Sequence, residues 1–350
     1  MISHFDCYGQ SSLLELFGMD NELVRLANDI RIKLSDSPSQ SEFRVIAILI
    51  IETSDGVLKF IEGSNSEQGY IGGAICAERA AICRLRFLKE KTFILKKVIV
   101  VTDSSSPLSP GALCREYLIS HGNSETLIVM GNNNGEIIKS SRLSDLWPYP
   151  YLYRFKRRQQ LLDYAKIFSG SIQGVADLDT DSNSLKVYSS SLLVNKNDKH
   201  DRIHPLRLSA AVLFTDGSVD TAWQLKGLEY GCTLDPVCQL IREIEKRSIC
   251  IPCSIFNTNT SSNYTTTLIN SEESTLSQVV SIKPVLITMT DQFGVCHAPF
   301  AQGRSLLQEH GYGYLQVLVH NEDGQFVTTS VDELIPQPSG SKLLSHDDFI

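Results

Sequence analysis

Cys76-Ala77-Glu78-Arg79 opens a helical pattern that runs to about Lys89, and 38 residues after Cys76 the run Pro110-Gly111-Ala112-Leu113-Cys114-Arg115-Glu116 opens a second one. Each cysteine stands where a helix begins. A thiol there faces unpaired backbone N–H groups and the positive end of the helix dipole, which lowers its pKa and favours the thiolate. Two thiolates from neighbouring helix ends can converge on a zinc ion. Glu78 then faces a metal-bound water as a proton carrier rather than as a ligand. Taken singly, each cysteine reads as a buried inert thiol and Glu78 as an ordinary first-turn acid. Their combination points to chemistry.

Working outward, Val98–Thr102 is a short apolar strand that leads into the turn-forming run Asp103–Gly111, and Thr126–Met130 is the next strand. With the helix at Cys114–Ser120 between them, they make a strand–helix–strand unit. Phe43–Ile51 is β-rich and turns at Asp55-Gly56 into Val57–Glu62. Asn21–Leu34 carries Leu23, Leu26 and Ile30 at helical spacing.

The same order returns in the second half. Asp216-Gly217 takes the place of the hairpin turn, and Val285–Thr290 that of the Val98–Thr102 strand. Pro299 precedes Gly303 by four residues, as Pro110 precedes Cys114. Gly135 follows Cys114 by 21 residues, and Gly324 follows Gly303 by 21. Leu146-Trp147-Pro148 is echoed by Leu334-Ile335-Pro336. These spacings predict an internal duplication, with domains at 1–152 and 204–350. The connecting segment 153–203 is expected to hold a helix over Gln159–Phe168 and a polar insert, Ser169–Asp201, that reads as a loop. Asn257–Ser274 is a second polar insert, and Ser339–Asp348 reads as a loosely held tail.

Composition narrows the class. With 350 residues, 42% hydrophobic and 21% charged, the chain can bury a sizeable core in each half. A net charge of −8 gives no electrostatic footprint for duplex nucleic acid, a local basic groove aside. Apolar runs such as Val45–Ile51 are strand-sized, far short of the ~20 residues of a membrane helix. Residues 1–15 carry His4, Asp6 and Glu15 and lack a secretory h-region. Nine scattered cysteines, an odd number, suit reduced thiols better than a disulfide framework. The expectation is a cytoplasmic protein with no membrane partner.

Cys76-x-Glu78 followed by Pro110 and Cys114 resembles the motif of the zinc-dependent cytidine deaminases, in which the glutamate serves as general acid/base. Phe43-Arg44-Val45 is similar to that family's Phe-x-Val strand. Asn65-Ser66-Glu67, eleven residues before Cys76, is similar to its Asn-x-Glu pair, and Tyr70 with Gly72-Gly73 lies near its Tyr-Gly. The resemblance covers roughly residues 20–151 and, more weakly, 204–336. It implies two tandem α/β/α sandwich domains, each with a mixed five-stranded sheet. It also implies hydrolysis of cytidine or 2'-deoxycytidine to the uridine nucleoside and ammonia by a zinc-activated water, as in pyrimidine salvage. Cys76 and Cys114 would be the metal ligands and Glu78 the catalytic acid/base. Asn65 and Glu67 would hold the ribose, and Phe43 and Ala77 would line the substrate pocket. A homodimer of two-domain chains is implied as well, with Tyr151 where the family places an aromatic that reaches a neighbouring site.

The sequence departs from the family at Gly111, which stands where a third zinc ligand belongs and has no side chain to offer. Cys7, Asp103, Ser109 or a group from a second subunit are the alternatives. Cys83, seven residues past Cys76, is carried about 10 Å along the helix. In the second half Gln224 falls opposite Asn65, Lys226 opposite Glu67, Asp235 opposite Cys76, Val237 opposite Glu78, Phe300 opposite Gly111 and Gly303 opposite Cys114, while Tyr230-Gly231 keeps the Tyr-Gly. That copy is expected to be non-catalytic. A rival reading follows from Gly111: a pseudo-deaminase that binds a nucleoside or a protein and catalyses nothing. Arg79 and Arg115 read either as exposed first-turn residues or as counter-charges to the thiolates. Cys250-Ile251-Pro252-Cys253 reads as two ordinary thiols, and His297 and His310 as surface or loop groups.

Overall fold

The computed structural model describes residues 5, 9–33, 37–67, 69, 71–85, 88, 92–178, 181–202, 204–227, 233–248 and 282–337. Cys7, Tyr70, Tyr230-Gly231, Cys250 and Cys253, the polar insert 257–274 and the tail 339–348 lie outside the described residues.

The first sheet is built around β1 (Val45–Thr53), flanked by β2 (Leu58–Ser64) and β3 (Phe93–Thr102), and continues through β4 (Leu127–Gly131) to β5 (Ile138–Arg142). The order is β2-β1-β3-β4-β5, with β3 and β4 parallel and every other pair antiparallel. β1 is apolar from Val45 to Ile51 because both of its faces are covered there. Ile46, Ile48 and Ile50 face one layer, with Leu23, Val24, Ala27 and Ile30 of α2 (Asp20–Lys33). Leu49 and Ile51 face the other, with Ala81, Ile82 and Leu85 of α3 (Ala77–Leu85) and Leu118 and Ile119 of α4 (Ala112–Ile119). A strand alternates its side chains between faces, so this one run builds two cores. A short helix, α1 (Gln10–Phe17), precedes α2, and α5 (Leu143–Leu146) closes the first half.

The second sheet repeats the path. Its strands β6 (Leu208–Phe214), β7 (Val219–Trp223), β8 (Pro284–Asp291), β10 (Gln316–His320) and β11 (Phe326–Ser330) lie in the order β11-β10-β8-β6-β7. A two-residue strand, β9 (Cys296–His297), pairs with β8 and makes this sheet six-stranded, one more than expected. α8 (Pro236–Ser248) and α9 (Ala301–Glu309) line one face, and α10 (Val331–Leu334) ends the half. Both halves are α/β/α sandwiches.

The connecting segment departs from its expected loop. α6 (Arg158–Ser169) matches the expected helix, but Ser182–Leu193 of the polar insert forms a further helix, α7. It begins at Asp181, whose side chain accepts from the Asn183 N–H, and it buries Val187 and Tyr188 on the free face of the second sheet. Its polar face is buried too: Ser191 Oγ lies 2.7 Å from Thr290 Oγ1 on β8. Hydrogen-bonded serines replace apolar side chains in this layer, which is why hydrophobic periodicity passes over it.

α4 and α9 pack against each other where the halves meet, and two fully buried arginines tie the junction. Arg115 donates to Pro110 O and Leu146 O within its own half, and to Pro336 O and Gln337 O of the other. Arg304 donates to Pro299 O and Leu334 O, and to Pro148 O and Tyr149 O across the junction. Tyr149 and Gln337, each following the closing proline, hold positive φ angles of 47° and 50°. Arg115 is therefore not an exposed first-turn residue; its guanidinium is bonded to carbonyls, while the Cys114 and Glu78 charges act on it as on a counter-charge. His297 is likewise corrected: it is 1% exposed and meets Asp291 Oδ2 at 3.2 Å, beside the Tyr153 hydroxyl that donates to the same oxygen. His310 is a half-exposed group at the end of α9, paired with Glu245.

Candidate active site

Cys76 sits just before α3, its carbonyl accepting from the Ala80 N–H, and Cys114 is the third residue of α4, whose N-cap is Gly111. Both thiols thus lie in helix first turns. α3 lies tight against β2: a Cβ on Gly63 would come within 2.4 Å of Ala77 O and Ala81 N, so only glycine lets this helix seat on the sheet. α4 follows β3 and is fixed by the Arg115 bonds one residue beyond Cys114.

The two helix ends bring Cys76, Glu78 and Cys114 together, with one ligand atom of each within 4.8 Å of the others. This is the only such group of three or more His, Cys, Asp or Glu among the described residues. Cys114 Sγ donates to Glu78 Oε2 at 3.4 Å. Cys76 is drawn down to about 6, first by the hydrogen bond from Cys114 and then by Arg79, against the opposing effect of burial. The same sharing, with burial, pushes Cys114 up. The two thiols titrate as a pair, with Cys76 the member drawn toward the thiolate. Burial, and then the Cys76 charge, push Glu78 up to about 7, which suits a group that must take and return a proton near neutrality. Arg79 Nη2 reaches Cys76 Sγ at 3.7 Å, the counter-charge position expected of it.

The donor set fits zinc at two corners, with thiolate chemistry from Cys76 and Cys114 and the Glu78 carboxylate beside them. The corner at Gly111 has no side chain. Asp103 does not fill it, because its carboxylate is taken by Arg31 and by the Arg44 side chain and N–H. Ser109 does not fill it either: its hydroxyl donates to Gln337 O and accepts from Arg115. Cys83 is exposed.

The expected ribose pair is placed near this cluster but engaged elsewhere. Asn65 Oδ1 accepts from the Val45 N–H at 2.8 Å and Nδ2 donates to Phe43 O at 2.7 Å, so both ends of the amide tie β2 to the start of β1. Glu67 accepts from the Gln40 and Ser41 N–H groups and the Ser41 hydroxyl, and its charge opposes ionisation of Cys76. Phe43 is half-buried and Ala77 fully buried. Tyr151 packs in the second half, 5.4 Å from the Phe300 ring and 5.3 Å from His297.

The sequence reading missed the linkage of the halves through Arg115 and Arg304. A signal existed, since each arginine stands five residues after a proline, Pro110 or Pro299.

No family model matches the chain. A cytidine deaminase of Halalkalibacterium halodurans is 31% identical over 108 residues, which are 31% of this chain and 76% of that protein. Among solved structures, the cytidine deaminase of Burkholderia pseudomallei is 27% identical over 37% of this chain and 97% of its own, with a TM-score of 0.32. The cytidine deaminase of Mycobacterium tuberculosis is 27% identical over 39% of this chain and 96% of its own, with a TM-score of 0.29.

Proposed function

The chain belongs to the cytidine deaminase family, and from that premise we propose that its N-terminal site deaminates cytidine or 2'-deoxycytidine to the uridine nucleoside and ammonia. The observation that carries this reading is the meeting of Cys76, Glu78 and Cys114 at two helix N-termini. Zinc held by the two thiolates would supply a Lewis acid that activates water near neutral pH. Glu78 takes the water proton, passes it to the ring nitrogen and later protonates the departing amine. Its burial excludes bulk water from those transfers. Phe43 and Ala77 line the base side, and the free lone pairs of Glu67 face the sugar, with Asn65 holding the strand that presents them. The domains we assign are 1–152 for this site, 153–203 as connector and 204–350 as a non-catalytic partner, in a cytoplasmic homodimer serving pyrimidine salvage.

The test is zinc content together with ammonia release. Near one zinc per chain, turnover of cytidine, and loss of turnover with retained zinc in Glu78→Gln support the reading. A chain that takes up no zinc and releases no ammonia overturns it. Gly111 and the committed amide of Asn65 favour a second reading, in which this half binds a nucleoside without turning it over. Cytidine binding without ammonia release from zinc-loaded protein would select that alternative.

A further inference from the structure

A second concave site lies in the other half, at the junction. Its cavity of about 170 Å³ is lined by Leu113 and Glu116 of α4, Gln224, Thr233 and Asp235 ahead of α8, and Phe300 and Gln302 at the start of α9. Asp235 caps α8, its Oδ1 accepting from the Val237 N–H at 2.6 Å and from the Cys238 N–H. Among the described residues that leaves Oδ2 buried with no hydrogen-bond partner, in a residue only 7% exposed, and the Phe300 N–H pulls the carboxyl down only in part against its burial. Gln224 Oε1, on the same cavity, is also buried and unpartnered. Buried acceptors without donors cost on the order of 1–3 kcal/mol each, so native proteins rarely leave them empty-handed.

The second carboxylate, Glu116, adds negative charge. Burial lifts it to about 7, the Arg304 guanidinium and the Ala301 N–H pulling it back only in part. Among the described residues no Lys, Arg or His lines the cavity, and the Phe300 and Ala301 N–H groups at the start of α9 only partly offset the burial of its two carboxyls. Its size is close to the ~150 Å³ that admits a single benzene ring, and Phe300 and Leu113 give it apolar walls. A divalent cation suits it poorly: no third His, Cys, Asp or Glu joins these two acids among the described residues, and small hard cations require a full shell of oxygens at fixed geometry.

We propose that this cavity is a second ligand site, taking a small planar cation of the amidinium or guanidinium class whose N–H groups satisfy Asp235 Oδ2 and Gln224 Oε1. The site is independent of turnover in the N-terminal half.

Calorimetric titration of the full-length chain with benzamidine tests it. One saturable site is expected, weakened at least tenfold by Asp235→Asn, which keeps a capping acceptor for α8, and absent for the neutral isostere benzamide. Glu116→Gln, away from the cap, is the second variant and is expected to weaken binding by several-fold. No saturable binding, binding indifferent to both substitutions, or binding lost in Glu78→Gln would overturn the assignment. So would magnesium chloride displacing benzamidine from the wild-type chain, since it would make this a metal site.

Discussion

Arg115 and Arg304 each donate to two carbonyls of their own half and two of the other, and the two sets are matched bond for bond: Pro110, Leu146, Pro336 and Gln337 for one, Pro299, Leu334, Pro148 and Tyr149 for the other. Both guanidiniums are fully buried, and Arg304 also lies over the Trp147 ring at 4.0 Å. Burial draws Arg115 down to about 10 and Arg304 to about 9, so both stay charged at neutral pH.

Arg115→Met leaves four buried carbonyls without their charged donor. Hydrogen bonds to charged groups contribute ~1.5–3 kcal/mol each, and partial relaxation recovers some of that, so a loss of at least about 3 kcal/mol is expected. The urea midpoint measures it. An unchanged midpoint would show that the bonds contribute nothing net.

Gly111 has φ −62° and ψ 162°, a conformation open to any L-residue. Gly111→Cys is therefore expected to fold and to supply the missing thiolate. Zinc affinity should rise at least tenfold in a chelator competition. Equal affinity in variant and wild type would mean that this position does not face the metal.

Gly63→Ala forces a methyl into Ala77 O and Ala81 N. Neither backbone atom can give way without moving α3, and with it Glu78. The expected outcome is a melting point lower by several degrees and weaker zinc uptake, whereas a surface glycine such as Gly9, with nothing within 4 Å of its added Cβ, should tolerate the same change. Parallel melting curves check both.

Burial lifts Asp235 to about 6. The unfolded chain gives up this proton near 3.8 and the folded chain keeps it to about 6. Between those values the folded state binds more protons, so this residue's contribution to stability falls as pH rises. At about 1.4 kcal/mol per pH unit the loss is up to about 3 kcal/mol. Asp235→Asn should flatten this part of the pH profile and gain relative stability above about pH 6. Urea titrations of both proteins between about pH 4 and 7 would reveal the difference, and parallel profiles would exclude it.

Much of this was legible from residue order. β1 could be read because seven consecutive apolar residues, Val45–Ile51, leave no polar face, and the Cys76–Glu78–Cys114 cluster because helix starts impose their own spacing. α7 could not, since Ser184 and Ser191 are buried by hydrogen bonding rather than by hydrophobicity. Asn65 carried the right spacing, but its bonds to Phe43 and Val45 depend on how closely β2 approaches β1, which spacing does not encode. The cavity at Asp235 was invisible for a similar reason: Glu116 reaches it from the other half of the chain.

Tyr149 and Gln337 turn their carbonyls outward through left-handed backbone, each into the opposite half. Loss of the last few described residues would therefore be felt far from the cut. Trimming the chain before Pro336 strips two of the four carbonyl acceptors from Arg115, the residue next to Cys114, and so loosens the far helix that carries a thiol. Damage at the carboxyl end is thus transmitted to the amino-terminal half through a single buried guanidinium.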